Sequence, residues 1–394
     1  MTTSTPTWLE NVRFADGTAG DIEIADGKFG SLGAAAAQGQ TIDGQIIDGR
    51  GRVILPALVE GHCHLDKTLL GCPWIGFTGE GGVPARIVAE KALRRGLTIP
   101  VEERGARLIE AEIAAGTGFL RSHVDIDADW KLVNLEAVVA LRDRFRDRID
   151  IQIVAFPQSG ILASPGTEHL LDEAMRNGAD VMGGLDPASI DGDPVRHLDI
   201  VFGLADRYRN PVDIHLHEGG PLGLFELGLI AERARALSME GQVTVSHAYC
   251  LADASEAELG GIAERLAAAG VSILSSAPEE RMPPVRALRE AGVNVFLGSD
   301  NVRDAWSPFG NGDMLDRAGI AARQQVFVGD DELATVFDMV TRASAQALGL
   351  ENYGIAPGNP ASFVLVEAEN LAEAVASRPT RRETYRKGVK VGGM

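Results

Sequence analysis

Histidine is a frequent metal ligand and acid–base side chain, and five of the eight histidines here close short apolar runs. The segment Gly61-His62-Cys63-His64-Leu65-Asp66-Lys67 sets a thiol between two imidazoles. Alternate side chains of a strand share a face, so His62 and His64 point one way and Cys63 the other. Two inward imidazoles make half of a site for zinc, iron or a similar divalent ion. By itself such a pair fits a structural role equally well. What strengthens the metal reading is that His215, His247 and Asp300 close later runs of the same kind, with His123 closing another. Read from Asp-Asn-Val alone, Asp300 fits a helix N-cap as well.

Positioning such residues requires repeated strand ends. Eight β-rich runs, at 57–64, 119–125, 150–157, 180–186, 211–217, 242–248, 271–276 and 294–300, alternate with longer Ala- and Leu-rich amphipathic stretches. Helices are expected at 132–146, 166–177 and 255–269, with Gly178, Gly270 and Gly292 placed as C-caps before new strands. No Gly-rich phosphate fingerprint follows an early strand, so the alternation reads as an α/β fold of the (β/α)8 TIM-barrel type, spanning 55–353. Outside it, Asp-Gly turns at Asp16, Asp26, Asp43 and Asp48 and short strands within 357–366 and 385–391 mark hairpins. Residues 1–54 and 354–394 are each too small to bury a core alone, and together they are expected to form a small discontinuous β-sandwich domain. The Ala-rich run at 34–37 is the one low-complexity stretch.

The set of a His-x-His on the first strand, one His on each of the fifth and sixth and an Asp on the eighth resembles the signature of the amidohydrolase superfamily. The stretches at 154–161 and 299–306, together with His215-Leu216-His217-Glu218 and Ser246-His247, are similar to the cytosine deaminase branch. This likeness runs through nearly the whole chain. It implies that His62, His64, His215 and Asp300 hold one divalent ion, Zn2+ or Fe2+ with Mn2+ as a further choice. His247 would stand beside the attacking water, Asp300 would also take that water's proton, and Glu218 would be the proton shuttle. Binuclear relatives commonly carry a bridging lysine on the fourth strand; the run at 180–186 has none, which implies one metal.

Alternation puts His215 and His217 on one face and Glu218 on the other. Glu218 therefore enters the pocket only if the strand ends by His217 and Gly219-Gly220 turns the chain. His217 is then either a second pocket residue or a hydrogen-bonded residue of the mouth. Gln158 and Trp306 are the expected substrate contacts, one able to donate and accept along an O=C–N–H edge and the other an apolar wall, with ordinary loop packing the alternative for each. Lys67, Asn301, Arg303 and the run at 308–314 are instead similar to the N-isopropylammelide amidohydrolases, which have Asp where Glu218 stands. Lys67 either meets a carbonyl or anionic ring oxygen or pairs with a surface carboxylate.

Together these readings predict a hydrolytic deaminase of an amino-substituted pyrimidine, triazine or pteridine-like ring. Ammonia is the expected leaving group, because the longer Glu218 would fill the space an isopropyl group needs. Release of an alkylamine by the same chemistry, ring-amide opening and a non-catalytic binding barrel are the competing readings. A net charge of −19 disfavours a nucleic-acid partner. No run approaches the ~18 apolar residues of a membrane span. The N-terminal stretch lacks the pattern of a secretory signal, so a cytoplasmic location is expected, and a homo-oligomer is left open. Cys63, Cys72 and Cys250 match no disulfide framework and are expected as free thiols.

Overall fold

The structure, a computed structural model, describes residues 7–33, 45–77, 81–278 and 281–393. The chain opens with β1 (Thr7–Arg13), β2 (Ala19–Ala25), β3 (Lys28–Leu32), β4 (Gln45–Asp48) and β5 (Val53–Pro56). Between β2 and β3, Asp26 and Gly27 both take positive φ, 51° and 72°, the backbone a two-residue type I′ hairpin turn demands. The Ala-rich run and the turn at Asp43 lie outside the described residues.

Next come β6 (Leu58–Cys63), β7 (Thr117–Asp125), β8 (Asp150–Phe156), β9 (Val181–Leu185), β10 (Val212–Leu216), β11 (Val243–His247), β12 (Val271–Ser275) and β13 (Val295–Leu297). They pair in sequence order, all parallel, and a bridge between Cys63 and Asp300 brings the two ends together as a nearly closed barrel. Helices Val133–Phe145, Thr167–Arg176 and Glu256–Ala268 form where the 3.6-residue pattern places them, the last held by a Ser255–Glu258 capping box. Gly178, Gly270 and Gly292 adopt the left-handed conformation that stops each helix before its strand.

The chain ends with β14 (Phe363–Val366), β15 (Arg382–Arg386) and β16 (Val389–Gly393), which join the N-terminal strands in a second sheet, also of eight strands, ordered β16-β15-β14-β5-β1-β2-β3, with β4 on β1. This unit has its own core, in which Phe363 stacks on Tyr385 at 4.6 Å among Leu9, Ile22, Ile24 and Phe29. Arg382 fastens it to the barrel by a two-pronged ion pair to Asp313 at 2.6 and 2.8 Å. The three cysteines are buried free thiols, and no described helix is long and apolar enough to cross a membrane.

The barrel strands stop sooner than their apolar runs do. β13 ends three residues before Asp300, and β10 ends at Leu216, so His217 and Glu218 lie beyond it. Asp186, His247 and Asp300 take positive φ, at 34°, 75° and 58°, which breaks the pleat and re-aims their side chains. β6 and β13 also approach closely: a Cβ on Gly298 would lie 2.6 Å from the His62 nitrogen. Gly298→Ala should therefore destabilise the metal-free protein by ~1–3 kcal/mol, read as a lower thermal midpoint. An unchanged midpoint would mean that the two strands are not so tightly apposed.

Candidate active site

The floor of the barrel mouth is a cluster of imidazoles. His62 comes from β6 and His64 from just after it, His215 from β10, and His247 from the end of β11. The Nε2 atoms of His62 and His64 are 3.4 Å apart and lie 3.6 and 3.3 Å from Asp300 Oδ1. Donor atoms of His62, His215, His247 and Asp300 all fall within 4.8 Å of one another, as do those of a second group, His62, His123 and Asp213. Both groups suit a divalent cation. Asp300 caps no helix, since the next one, Met314–Gln324, is capped by Asp313.

A chain of buried contacts fixes the tautomer of His62. Arg121 donates to Asp213 at 2.9 Å, Ser246 Oγ donates to Asp213 at 2.7 Å, and Ser246 is therefore left to accept from His62 Nδ1 at 3.0 Å. The proton sits on Nδ1 and the Nε2 lone pair faces the cluster. Burial, then repulsion from His123, keeps the His62 imidazole far below its usual range, and burial with repulsion from His62 does the same to His215. Burial followed by the Lys67 charge lowers His64 to about 4, and burial followed by His217 lowers His247 to about 3. Burial pushes the Asp300 carboxyl upward, but attraction to His247 and a hydrogen bond with His64 outweigh it and hold Asp300 anionic.

These side chains fit a metal ion. Both ring nitrogens of His215 and of His247, and Nδ1 of His64, are buried without a hydrogen-bond partner among the described residues. Leaving so many polar atoms unsatisfied is costly unless something electropositive meets them, and neutral imidazole is the form that binds metals.

Above the cluster lies a cavity of about 310 Å³. Its wall brings together all five residues expected from the sequence to touch substrate, Gln158, Trp306, Lys67, Asn301 and His217, along with His64, His215 and Asp300. Phe156, unforeseen, stacks on His215 at 4.0 Å and forms part of the wall. Lys67 is 3% exposed and meets buried groups: Gln158 Oε1 at 2.5 Å, Asp125 at 3.2 Å and Glu90 at 3.7 Å. Of the alternatives for Lys67, pairing with a surface carboxylate is therefore not what the structure shows. An ammonium only donates, so the Gln158 oxygen must face Lys67, and its NH2 is left for a ligand.

His217 is both things the sequence allowed. It lines the cavity, stacks on His247 at 4.5 Å, and its Nδ1 lies 2.8 Å from Asp186 Oδ2. Burial lowers His217, but attraction to Asp186 more than compensates and the net shift is upward.

Glu218 is placed differently. Gly219 and Gly220 do turn the chain into helix Gly220–Ala236, but Glu218 Oε1 accepts from the amides of Ser189 at 2.7 Å and Ala188 at 3.2 Å, and Glu218 is not among the residues lining the cavity. Its Oε2 is buried and unpartnered among the described residues, and burial, followed by repulsion from Asp186, raises its pKa. Glu226, pushed up to about 9 by burial and by Glu218, shares the Ala188 amide. With Oε1 held by those amides and the residue outside the cavity lining, Glu218 does not narrow the cavity in this structure, and the steric argument for ammonia loses its support.

Sequence reasoning also missed Asp186, Glu90 and Asp125. Asp186 closes the fourth run much as His247 closes the sixth and was open to the same reading. Glu90 sits on helix Val83–Arg95 and reaches the site only because that helix crosses the mouth, where it accepts from Trp306 Nε1 at 2.7 Å.

Eight parallel strands carrying an imidazole–carboxylate cluster at their C-terminal ends define a hydrolase-type metal site on a barrel. The profile of the Amidohydrolase family matches residues 85–392, and the chain belongs to that family. It is similar to the N-isopropylammelide isopropylaminohydrolase structure from Burkholderia multivorans, at 42% identity and TM-score 0.94 over 99% of this chain and 98% of that one. The 5-methylcytosine deaminase of Klebsiella pneumoniae, liganded with 5-fluorocytosine, matches at 31% identity and TM-score 0.86 over 98% and 97%. N-isopropylammelide isopropyl amidohydrolase from Pseudomonas sp. strain ADP is 33% identical, covering 85% of each chain.

Because attraction to Asp186 is what raises His217 against the effect of burial, Asp186→Asn should lower the His217 pKa in the metal-free protein. An NMR titration of the imidazole reads this directly, and an unmoved titration would mean that some other group sets it.

Proposed function

We propose that this enzyme hydrolyses an exocyclic C–N bond on a planar, oxo-bearing nitrogen heterocycle of the triazine or pyrimidine type, leaving oxygen on the ring. The observation that carries the reading is the single cavity in which Lys67, Gln158, Asn301, Trp306 and His217 face His64, His215 and Asp300. His62, His64, His215 and Asp300 would hold one divalent ion, zinc or iron, which when bound lowers the pKa of a water toward about 7. A second ion in the His62, His123, Asp213 group is disfavoured, because Arg121 already sets its charge on Asp213 at 2.9 Å.

The chain's own groups do the rest. Trp306 and Phe156 offer apolar walls to the ring, and the Gln158 amide nitrogen, its oxygen fixed by Lys67, donates to a ring oxygen. Asp300, kept anionic, accepts the proton of the attacking water, while His247 hydrogen-bonds beside it. Glu218, raised by burial, turns its Oε2 toward the cavity and gives its proton to the ring nitrogen; the proton that Asp300 takes from the water recharges Glu218, which then protonates the departing amine. His217, held by Asp186, is the next group able to serve.

Ammonia is one leaving group and an alkylamine the other. The alkylamine reading is favoured by the likeness to two N-isopropylammelide hydrolases and by the placement of Glu218 outside the wall. Comparing kcat/KM for matched rings bearing NH2 and NH-isopropyl decides between them, and failure on both would end the C–N hydrolase reading.

Elemental analysis of active protein should give one divalent metal per chain; two at full activity would contradict the single-ion account. Glu218→Gln should keep that metal and lose on the order of 10²- to 10⁴-fold in kcat. Near-normal turnover in this variant would move the shuttle role to His217.

A further inference from the structure

The cavity wall also holds Arg86, in the first turn of helix Val83–Arg95. Three cations line this cavity in a protein whose net charge is −19. Two of them are matched. Lys67 is met by Asp125 and Glu90, and Arg281 is paired with Asp253. Arg86 makes no ion pair among the described residues, and its Nε is buried without a partner. Glu90, one turn further on and within reach by spacing, is already engaged by Arg94, Lys67 and Trp306. The Arg86 guanidinium instead lies against aromatic faces, 5.9 Å from the Trp306 ring centre and 5.7 Å from that of Phe77.

A half-buried guanidinium with an unsatisfied donor, held against the indole expected to flank the substrate, is matched by an acceptor on the ligand. The same lining supplies a further donor, the NH2 of Gln158, whose oxygen is spent on Lys67. The geometry points to Arg86 as a specificity-determining residue that selects rings bearing an ionised acceptor, an oxyanion or carboxylate, on the edge away from the scissile C–N bond. This rests on the reading of the cavity as the active site, and it narrows the substrate class from oxo-bearing heterocycles in general to those that are anionic. A guanidinium suits the role because its planar donors meet two oxygens or an oxygen and a ring nitrogen side by side.

The test is equilibrium binding to the metal-loaded protein, followed calorimetrically, with two non-hydrolysable probes of similar size. Barbiturate is a planar oxo-ring that is anionic at neutral pH, and uracil is its neutral counterpart. Wild type should prefer barbiturate, and Arg86→Gln should weaken barbiturate on the order of 10- to 100-fold while changing uracil little. Arg86→Lys, which keeps the charge, should retain part of the preference and so separates loss of the cation from loss of fold. Equal binding of the two probes by wild type, or unchanged barbiturate affinity in Arg86→Gln, would overturn the assignment. An Arg86-dependent preference in a protein that hydrolyses no amino or alkylamino ring would uphold the anion subsite while refuting the proposed reaction.

Discussion

The cost of burying unsatisfied imidazoles governs this structure. His62, His64, His215 and His247 are removed from water, kept unprotonated by burial and mutual repulsion, and aimed at one carboxylate, Asp300. An apolar floor would be cheaper by the loss of several desolvated polar atoms, and a bound cation would offset that cost. The rest of the barrel mouth follows from holding that cluster. Strands stop early, three polar residues accept left-handed backbone, and β6 and β13 approach so closely that a glycine is needed at 298.

Support comes from beneath as well as from the ligands themselves. The Arg121–Asp213–Ser246–His62 chain spends a fully buried ion pair on orienting one imidazole, and Glu60 clasps the amides of His62 and Ser299 at 3.0 and 2.8 Å from below. Such buried pairs add little net stability, so their value here lies in fixing direction. On the cavity side a second buried network, Lys67 with Asp125, Glu90 and Arg94, fixes Gln158 and Trp306 in the same manner. One network orients the imidazole cluster and the other the cavity wall.

Much of this was legible in the sequence because it follows from short-range rules. Period-two alternation put His62 and His64 on one face, glycine caps marked where helices give way to strands, and Asp26-Gly27 announced its hairpin. The residues expected at the substrate proved to share one cavity. What the sequence did not reveal was long-range or depended on the exact end of a strand. Glu218 follows the turn the glycines allow, yet the amides after β9 capture its carboxyl, and no local pattern reveals that competition. Gln158 was expected to donate and accept, but Lys67, 91 residues away in sequence, takes its oxygen. Arg86 and Glu90 became visible only when their helix was seen to cross the mouth.

The central claim is that a light-atom ligand set of imidazoles and one carboxylate holds a single ion at the barrel mouth. X-ray absorption at the edge of the metal in the loaded protein tests it most directly. The account predicts a shell of nitrogen and oxygen at about 2.0–2.2 Å, with the outer-shell scattering of several imidazoles and no second metal. A sulfur shell at about 2.3 Å, or a metal–metal vector at about 3.5–4 Å, would contradict it.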